Sequence, residues 1–139
     1  MSYEANQAIN GLYGFVYDEN GTELQSTQSF ESVLEYEKEA IKQAGKFLDS
    51  HKVMGGAGSG TLTILKLDSR LQRKVAENPT AKYNYIGKLA DPTAKGEEAI
   101  MYKGLSFDST QLTQYELGAL VEEEFPFTFD DFSYIKSID

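Results

Sequence analysis

The spacing of hydrophobic and polar positions predicts a mainly β protein with one short helix. The stretch LYGFVYDENGTELQS, which begins at Leu12, predicts a hairpin, because its Asn-Gly pair suits a turn that requires positive φ. Further strands are predicted at 61–67, which is rich in β-branched residues, and at 81–91. Two more are predicted within 98–132, with a break around Gly118. Together these elements suit a barrel or a sandwich.

The stretch DSRLQRKVAENP predicts the short helix, at about 69–77. Asp68 or Ser69 can cap its N-terminus, two apolar residues four positions apart share one face, and Pro79 follows its end.

The segment SFESVLEYEKEAIKQAGKFL, which begins at Ser29, fits two structures. Its odd-numbered positions from 31 to 39 are mostly acidic, as on the solvent face of a long strand. Its apolar positions fit a helical period of 3.6 residues, and taken alone they favour an amphipathic helix. These apolar positions are Val33, Leu34, Ala40, Ile41, Ala44, Phe47 and Leu48. The pattern leaves both structures open.

The Gly-rich segment 55–60 predicts a flexible loop. Its two outer glycines have the spacing of a phosphate-binding loop, but Thr61 stands where that motif needs Lys. We therefore expect no nucleotide site there.

Composition narrows the possible chemistry. The 139 residues suffice for one domain, 1–139, and residues 1–10 are predicted to be a loose polar arm. Cys is absent, which excludes disulfides, a thiolate nucleophile and a Cys-ligated zinc site. The single imidazole, His51, has no local partner that suggests acid–base catalysis. We expect a protein that is not an enzyme, with no catalytic residue, no metal site and no cofactor.

Negative charge is concentrated around the segment VEEEFPFTFDDF, residues 121–132. Its acids flank a strand and point to alternate faces, unlike the ligands of a calcium loop, which surround a Gly-bearing turn. The acids, Glu122, Glu123, Glu124, Asp130 and Asp131, are therefore predicted to form a charged surface beside a buried row of rings. Phe125, Phe127 and Phe129 share one face and are predicted to pack into the core. Pro126 predicts a gap in the hydrogen-bond ladder, at an edge or a bulge.

The chain has no apolar run near the ~18 residues of a membrane-spanning helix. Its first residues, MSYEANQAING, lack the basic and apolar regions of a signal peptide. We therefore expect a soluble product that starts in the cytoplasm and, as a monomer, binds no membrane. The formal net charge of -9 disfavours binding to a phosphate backbone, since Lys and Arg are not in excess. A role in which the protein repels nucleic acid is consistent with that charge.

The segment EEEFPFTFDDF, Glu122 to Phe132, resembles a signature of tail tube proteins from contractile-tailed, myovirus-like phages. The resemblance is to the branch found in phages, defective prophages and tail-like bacteriocins of Gram-positive bacteria. It covers about residues 10 to 136 and includes FESVLEYEKE, HKVMGGAGSGTLT and GLSFDS in that order. The residues of the C-terminal motif are Phe125, Pro126, Phe127, Phe129 and Phe132.

The resemblance implies an antiparallel β-sandwich or barrel of the phage tail tube type, with one short flanking α-helix and a long protruding hairpin at about 29–53. It therefore implies strand, not helix, for Ser29 to about Gln43. It also implies that six copies form a ring and that rings stack into a hollow channel for DNA, or for ions or effectors. The implied partners are other copies of the chain, a tail sheath protein outside, and a tape-measure protein and DNA in the lumen. The protein would be made in the host bacterial cytoplasm and assembled into a virion tail or a tail-like particle.

Within that architecture, the acidic positions of the ambiguous segment become candidates for the channel wall. An acidic wall would repel DNA and favour its transit, although an acidic outer surface that keeps the subunit soluble would use the same residues. The lumen-facing candidates are Glu31, Glu35, Glu37 and Glu39. The Gly-rich segment becomes either an ordinary connector or a loop between rings or subunits, formed by Gly55, Gly56, Gly58 and Gly60.

Two other functions fit the sequence. One is a tube initiator or adaptor at one end of a tail. The other is a monomeric β-barrel that binds a small ligand with its Tyr and Phe residues, and the mass of the purified protein in solution would distinguish it from a tube.

Overall fold

The computed structural model describes residues 4–24, 26–94 and 96–138. The strands are β1 (Gly14–Tyr17), β2 (Thr27–Ile41), β3 (Ser50–Leu65), β4 (Tyr83–Leu89), β5 (Glu98–Phe107), β6 (Glu122–Phe129) and β7 (Asp131–Lys136). Helix α1 is Arg70–Glu77, and short 3-10 helices occupy Ala5–Gln7 and Gly11–Tyr13.

The strands form two antiparallel sheets that share β5. The hydrogen-bonded order is β1-β4-β5-β6-β3-β2, with β7 also paired to β5. β5 pairs with β4 and β7 along most of its length, but with β6 only at Ser106 and Phe107. One sheet therefore contains β1, β4, β5 and β7, and the other contains β2, β3, β6 and the end of β5. The predicted β-sandwich or barrel with one short helix and a long hairpin is confirmed, and β7 is an addition to the predicted strands.

The core lies between the two sheets and consists largely of aromatic rings. Phe125, Phe127 and Phe129 are buried on one face of β6, as the alternation predicts. The Phe127 ring stacks on Phe30 of β2, with centroids 5.5 Å apart and an interplanar angle of 19°. Tyr102 of the other sheet meets Phe129 edge-on, with centroids 5.0 Å apart. Such pairs add about 0.5–1.5 kcal/mol each beyond burial. The first pair therefore strengthens the β2–β3–β6 sheet, and the second joins the two sheets.

Residues 27–65 form one long hairpin, in which β2 pairs with β3 along its length. Ser29 to Ile41 is therefore strand, as the family resemblance implied, and the helical period of this segment is misleading. Val33 and Leu34 fit one face of a helix, but as neighbours on a strand they point to opposite faces and are both exposed. Pairing with β3 satisfies the backbone of this segment and outweighs its local helical preference.

The Gly-rich segment 55–60 is part of strand β3, so the prediction of a flexible loop there is wrong. Gly58 lies directly opposite Phe129 of β6, and Gly60 lies opposite Phe127. A Cβ atom at Gly58 would overlap the Phe129 ring, and one at Gly60 would overlap the Phe127 ring and the backbone of β2. These two glycines are needed because rings and backbone approach them closely, not because the segment moves.

The predicted N-terminal hairpin forms only in part. Its turn is present, since Gly21 has a φ of 79° and the Asp18 carboxylate accepts the N–H groups of Asn20 and Thr22, each at 2.9 Å. The predicted second strand is reduced to one isolated bridge at Glu23. β1 takes β4 as its hydrogen-bonded partner instead.

Helix α1 is capped by Asp68, whose carboxylate accepts the N–H of Arg70 at 3.0 Å. The other predicted cap, Ser69, makes no capping hydrogen bond with its side chain. Val75 is buried and anchors the helix to the core.

Asp91, a buried residue between β4 and β5, holds the end of the N-terminal arm. Its Oδ2 accepts the N–H of Asn10 at 2.9 Å, and its Oδ1 accepts the Thr93 hydroxyl at 2.7 Å. The Thr93 hydroxyl, followed by the N–H groups of Asn10 and Thr93, lowers the pKa of Asp91. Residues 4–10 are exposed, and residues 1–3 of the predicted loose arm lie outside the described residues.

Candidate functional site

The described residues give no sign of a metal centre or a membrane span. Among residues 4–24, 26–94 and 96–138, no group of three or more His, Cys, Asp or Glu side chains is placed to hold a metal ion. No helix in that part of the chain has the length and apolar character to span a bilayer. His51 is exposed on β3, opposite Ala40. The surfaces that stand out belong to the hairpin formed by β2 and β3.

One face of the β2–β3–β6 sheet is acidic. Residues directly opposite each other in antiparallel strands share a face, and Phe30 of β2 points into the core. The odd-numbered residues of β2 therefore point away from the core, and the register extends their face to β6, where Glu124 lies opposite Thr63. The exposed carboxylates of this acidic face are Glu31, Glu35, Glu37 and Glu39 of β2 and Glu122 and Glu124 of β6.

The negative charges of the acidic face reinforce one another. None of the six carboxylates forms an ion pair with a described residue. Glu35, Glu37 and Glu39 follow one another at about 7 Å along β2, which is within the Debye length of about 8 Å at physiological ionic strength. Among the described residues, Lys52 is the one basic residue that the register places on this face, opposite Glu39 near the end of the hairpin. The face therefore presents a negative potential to whatever lies in front of it.

The opposite face of the hairpin is apolar beyond the core. At the base of the hairpin, the hydroxyls of Ser32 and Tyr102 share a hydrogen bond of 2.6 Å and belong to the interior. Further out, Leu34 is 39 % exposed, Tyr36 is 62 % exposed, and Val53 on β3 is 54 % exposed. None of these side chains belongs to the core or to the described residues that pack against it, so they form an apolar face that a second protein surface could cover.

The outer edge of β2 is also open. β2 ends the strand order of its sheet, so the 15 residues of this strand present unpaired backbone groups on one side. A long exposed edge of this kind is a template for pairing with another chain.

The described interior is lined by large apolar and aromatic side chains. Its largest fully buried side chains are Tyr85, Phe125, Phe127, Leu62 and Leu105. A cavity of about 510 Å³ lies where the edge strands β1 and β2 stand apart, and it is lined in part by Phe30 and Tyr102. It is a cleft between two strand edges rather than the lumen of a closed barrel. Burial raises the pKa of Tyr102, and the hydrogen bond to Ser32 opposes that rise.

The comparison with known families decides what kind of protein this is. A family model described as phage tail tube protein matches residues 1–136. The chain belongs to the phage tail tube protein family. Phage-like element PBSX protein XkdM of Bacillus subtilis (strain 168) is 27% identical over 145 residues, which cover 95% of this chain and 93% of that protein. Uncharacterized protein YqbM of the same strain has the same identity and coverage. The chain is thus a tail tube structural protein.

Solved structures of a contractile injection system and of the SPP1 tail tube share the fold. One is the sheath-tube complex of an extracellular contractile injection system (PVC), with a TM-score of 0.73 at 10% identity over 96% of this chain and 98% of that one. The sheath/tube terminator of the same system gives 0.75 at 8% identity over 93% and 97%. The SPP1 tail tube gives 0.69 at 14% identity over 95% and 81%.

The structure brings some of the predicted site residues together and separates others. The four lumen-facing candidates lie on one face, joined by Glu122 and Glu124, which the sequence analysis did not include. In the family motif, Phe132 packs against the core, and Pro126 lies just past the end of the β5–β6 pairing, where its carbonyl accepts the N–H of Asp108 at 2.8 Å. The four glycine candidates are strand residues.

Glu123 was predicted to lie on a charged surface with the neighbouring acids, and that prediction is wrong. It is only 3% exposed. The alternation contained the signal, since Glu123 is in phase with Phe125, Phe127 and Phe129 on the buried face of β6.

Proposed function

We propose that six copies of this tail tube protein form a ring, and that rings stack into a hollow tube whose channel wall is the acidic face. The observation that carries the proposal is the hairpin, which combines an acidic face, an apolar face and an open strand edge. A free monomer gains nothing from that combination, because the apolar face and the open edge promote aggregation. In a ring both are covered by the neighbouring subunit.

The edge of β2 and the apolar face support the contact between neighbouring subunits. Pairing of β2 with a strand of the next copy would continue the sheet from subunit to subunit. Rotation by a fixed angle closes such a series into a ring, and stacked rings give a filament. Leu34 and Tyr36 would then be buried under the neighbouring subunit.

The acidic face supports the channel. DNA carries one negative charge per about 1.7 Å of its axis, so a basic wall would bind it and slow its passage. Unpaired carboxylates repel it instead, and six copies multiply the effect around the channel. The lumen would hold a tape-measure protein during assembly and DNA afterwards, or ions or effectors in a particle that carries no DNA.

The outer surface of the ring would face a tail sheath protein. Support comes from the fold shared with a chain of a sheath-tube complex. The protein would be made in the bacterial cytoplasm, act in the virion tail or a tail-like particle, and perform no catalysis.

A second candidate function is a tube end component. It is favoured by the likeness to the sheath/tube terminator, whose TM-score of 0.75 matches that of the tube chain. An end component would form single rings that do not grow into tubes, so the length of the assemblies distinguishes the two.

Electron microscopy of the concentrated protein, together with its mass in solution, tests the proposal. We expect six-subunit rings and hollow filaments. A monodisperse monomer at high concentration would contradict the proposal and favour the ligand-binding barrel. Rings that never extend would indicate the end component.

A further inference from the structure

The β1–β2 cleft is the cavity of about 510 Å³ between the edges of β1 and β2. Phe30 and Tyr102, whose ring centroids lie 5.5 Å apart, form part of its floor together with Ile100 of β5. Its lining contains one residue of each charge, Lys88 and Glu98, and its polar uncharged residues lie along β2. The cleft therefore presents apolar side chains with no excess of charge, at the place where the strand order is left unclosed.

Tyr134 of β7 is an aromatic residue that the subunit leaves largely uncovered. It lies opposite Ile100 of β5, so both side chains share the face of their sheet that carries the core. Phe132, two residues earlier on that face, packs against the core and meets the Tyr134 side chain edge-on, with centroids 6.2 Å apart. Tyr134 itself is 62% exposed, since β6 of the facing sheet ends at Phe129. The aromatic row of the core thus continues past the cover that the facing sheet provides.

The cleft and Tyr134 lie on opposite sides of the subunit. β1 and β2 are the two ends of the strand order and flank the cleft. β7 pairs with β5 on the side away from β4 and β1, so three strand spacings of about 4.8 Å each separate it from β1. The rotation that relates neighbours in a ring brings unlike sides together. Tyr134 of one copy therefore faces the cleft of the next copy.

The two features also lie at the same level along the strands. Glu98, Ile100 and Tyr102 of β5 line the cleft. The same stretch of β5 pairs with β7, where Tyr102 is opposite Phe132 and Ile100 is opposite Tyr134. Rotation about the axis of a ring adds no rise, so contact partners must lie at a common height. The shared stretch of β5 favours that common height.

We propose that the Tyr134 side chain of each subunit seats in the β1–β2 cleft of the next subunit in the same ring. The aromatic core then continues across the boundary, from Phe132 and Tyr134 of one copy to Phe30 and Tyr102 of the next. Aromatic side chains that fill a pocket of the partner are the usual anchors of protein interfaces. The inference rests on the proposed six-subunit ring, and it adds a seam next to the open edge of β2.

Truncation of the aromatic side chain tests the seam. Tyr134→Ala should raise the protein concentration at which six-subunit rings form by about tenfold or more, because a seated aromatic anchor is a typical hot spot. Tyr134→Phe keeps the aromatic side chain and should assemble at the unmodified concentration. The mass distribution over a dilution series measures both. Since Tyr134 is exposed in the free subunit, urea denaturation of the dilute variants should give the unmodified midpoint, which separates assembly from folding.

The matched control is Tyr115→Ala, which removes an exposed tyrosine from the connection between β5 and β6. It should form rings at the unmodified concentration. Rings of Tyr134→Ala at that same concentration would overturn the seating, and so would equal losses for Tyr134→Ala and Tyr115→Ala. An unmodified chain that forms no rings would overturn the proposed function, whereas unmodified rings beside unaffected Tyr134→Ala rings overturn the seating alone.

A second measurement locates the contact and keeps Tyr134 in place. The chain has no Cys, so Ile135→Cys places one thiol beside Tyr134, and Gln28→Cys places one at the cleft. Both positions are exposed. Rings assembled from a mixture of the two single-Cys proteins should give linked dimers with a short bismaleimide linker. Rings of either protein alone are the controls and should give none, because identical thiols lie on the same side of every copy. Mixed rings without linked dimers would overturn the seating.

Discussion

The carboxylate of Glu123 lies 3.5 Å from the ammonium group of Lys66, and the two side chains are 4% and 30% exposed. Neither carboxylate oxygen has a hydrogen-bond partner among the described residues. Lys66 is fixed by Gln72 of helix α1, whose Oε1 accepts its Nζ–H at 2.8 Å. The lysine is therefore the charge that compensates a nearly buried carboxylate, and it links the end of β3, the helix and β6.

We predict that Lys66→Met destabilises the unassembled subunit by about 1–3 kcal/mol, because it leaves the buried charge of Glu123 without a partner. Urea denaturation of dilute protein measures the change. The control is Lys82→Met, which removes an exposed ion pair to Asp130 and should cost less than about 1 kcal/mol. Equal losses for the two variants would contradict this role of Lys66.

Gly60→Ala should destabilise the subunit by about 1–3 kcal/mol, because a methyl group at this position overlaps the Phe127 ring and the Glu31 carbonyl oxygen. The control, Gly55→Ala, meets nothing closer than the Glu37 carboxylate at 3.7 Å and should change stability by less than about 0.5 kcal/mol. Thermal denaturation of both variants checks the difference. A Gly60→Ala protein as stable as the unmodified chain would contradict the close approach of Phe127 to Gly60 and would support a flexible loop at 55–60.

Tyr85 gives a prediction at alkaline pH. Burial raises its pKa well above the usual range, whereas in the unfolded chain it ionises near pH 10. The folded state keeps its proton longer, so its contribution to stability is complete below about pH 10 and is lost as the pH rises further. In Tyr85→Phe this part of the alkaline loss should disappear.

The same variant should be slightly more stable at neutral pH, by up to about 1 kcal/mol, because the Tyr85 hydroxyl is buried with no hydrogen-bond partner among the described residues. Tyr102→Phe is the contrasting variant, since it breaks the hydrogen bond to Ser32 and should cost about 0.5–1.5 kcal/mol. Urea titrations at pH 8 and at alkaline pH measure both effects. A Tyr85→Phe protein that is less stable than the Tyr102→Phe protein would contradict the burial of an unpaired Tyr85 hydroxyl.

Charge reversal on the acidic face tests the channel. Glu35→Lys/Glu37→Lys should leave assembly intact, but slow DNA ejection from particles by about tenfold or more, because each ring gains twelve phosphate-binding cations if it has six copies. The control is Glu77→Lys/Asp131→Lys, two exposed acids on helix α1 and strand β7 that lie off the acidic face. An unchanged rate of DNA ejection with the first variant would contradict the location of Glu35 and Glu37 on the channel wall. For a particle without DNA, the readout is ion conductance.

The sequence predicts features that depend on one strand alone. The alternation of Phe125, Phe127 and Phe129 is enough to place them in the core, and the Asn-Gly pair is enough to place a turn. The same alternation also indicates that Glu123 is buried, because Glu123 lies on the same face of β6 as these three residues. Its charge alone predicts an exposed position, and that prediction is wrong.

Features that depend on a distant partner could not be predicted from the residues alone. The strand from Ser29 to Ile41 is stabilised by pairing with β3, and its helical period gives no sign of that partner. Gly58 and Gly60 look like a loop until the rings of β6, about 70 residues later, are placed over them. Strand β1 likewise pairs with β4 rather than with the segment that follows its turn.

A cryo-electron-microscopy reconstruction of tubes assembled from the purified chain tests the central claim most directly, since it shows both the symmetry and the orientation of the hairpin. We predict a hollow filament of six-subunit rings in which the carboxylates of Glu31, Glu35, Glu37 and Glu39 line the channel. A tube with these residues on its outer surface would contradict the account, and so would a chain that stays monomeric at high concentration.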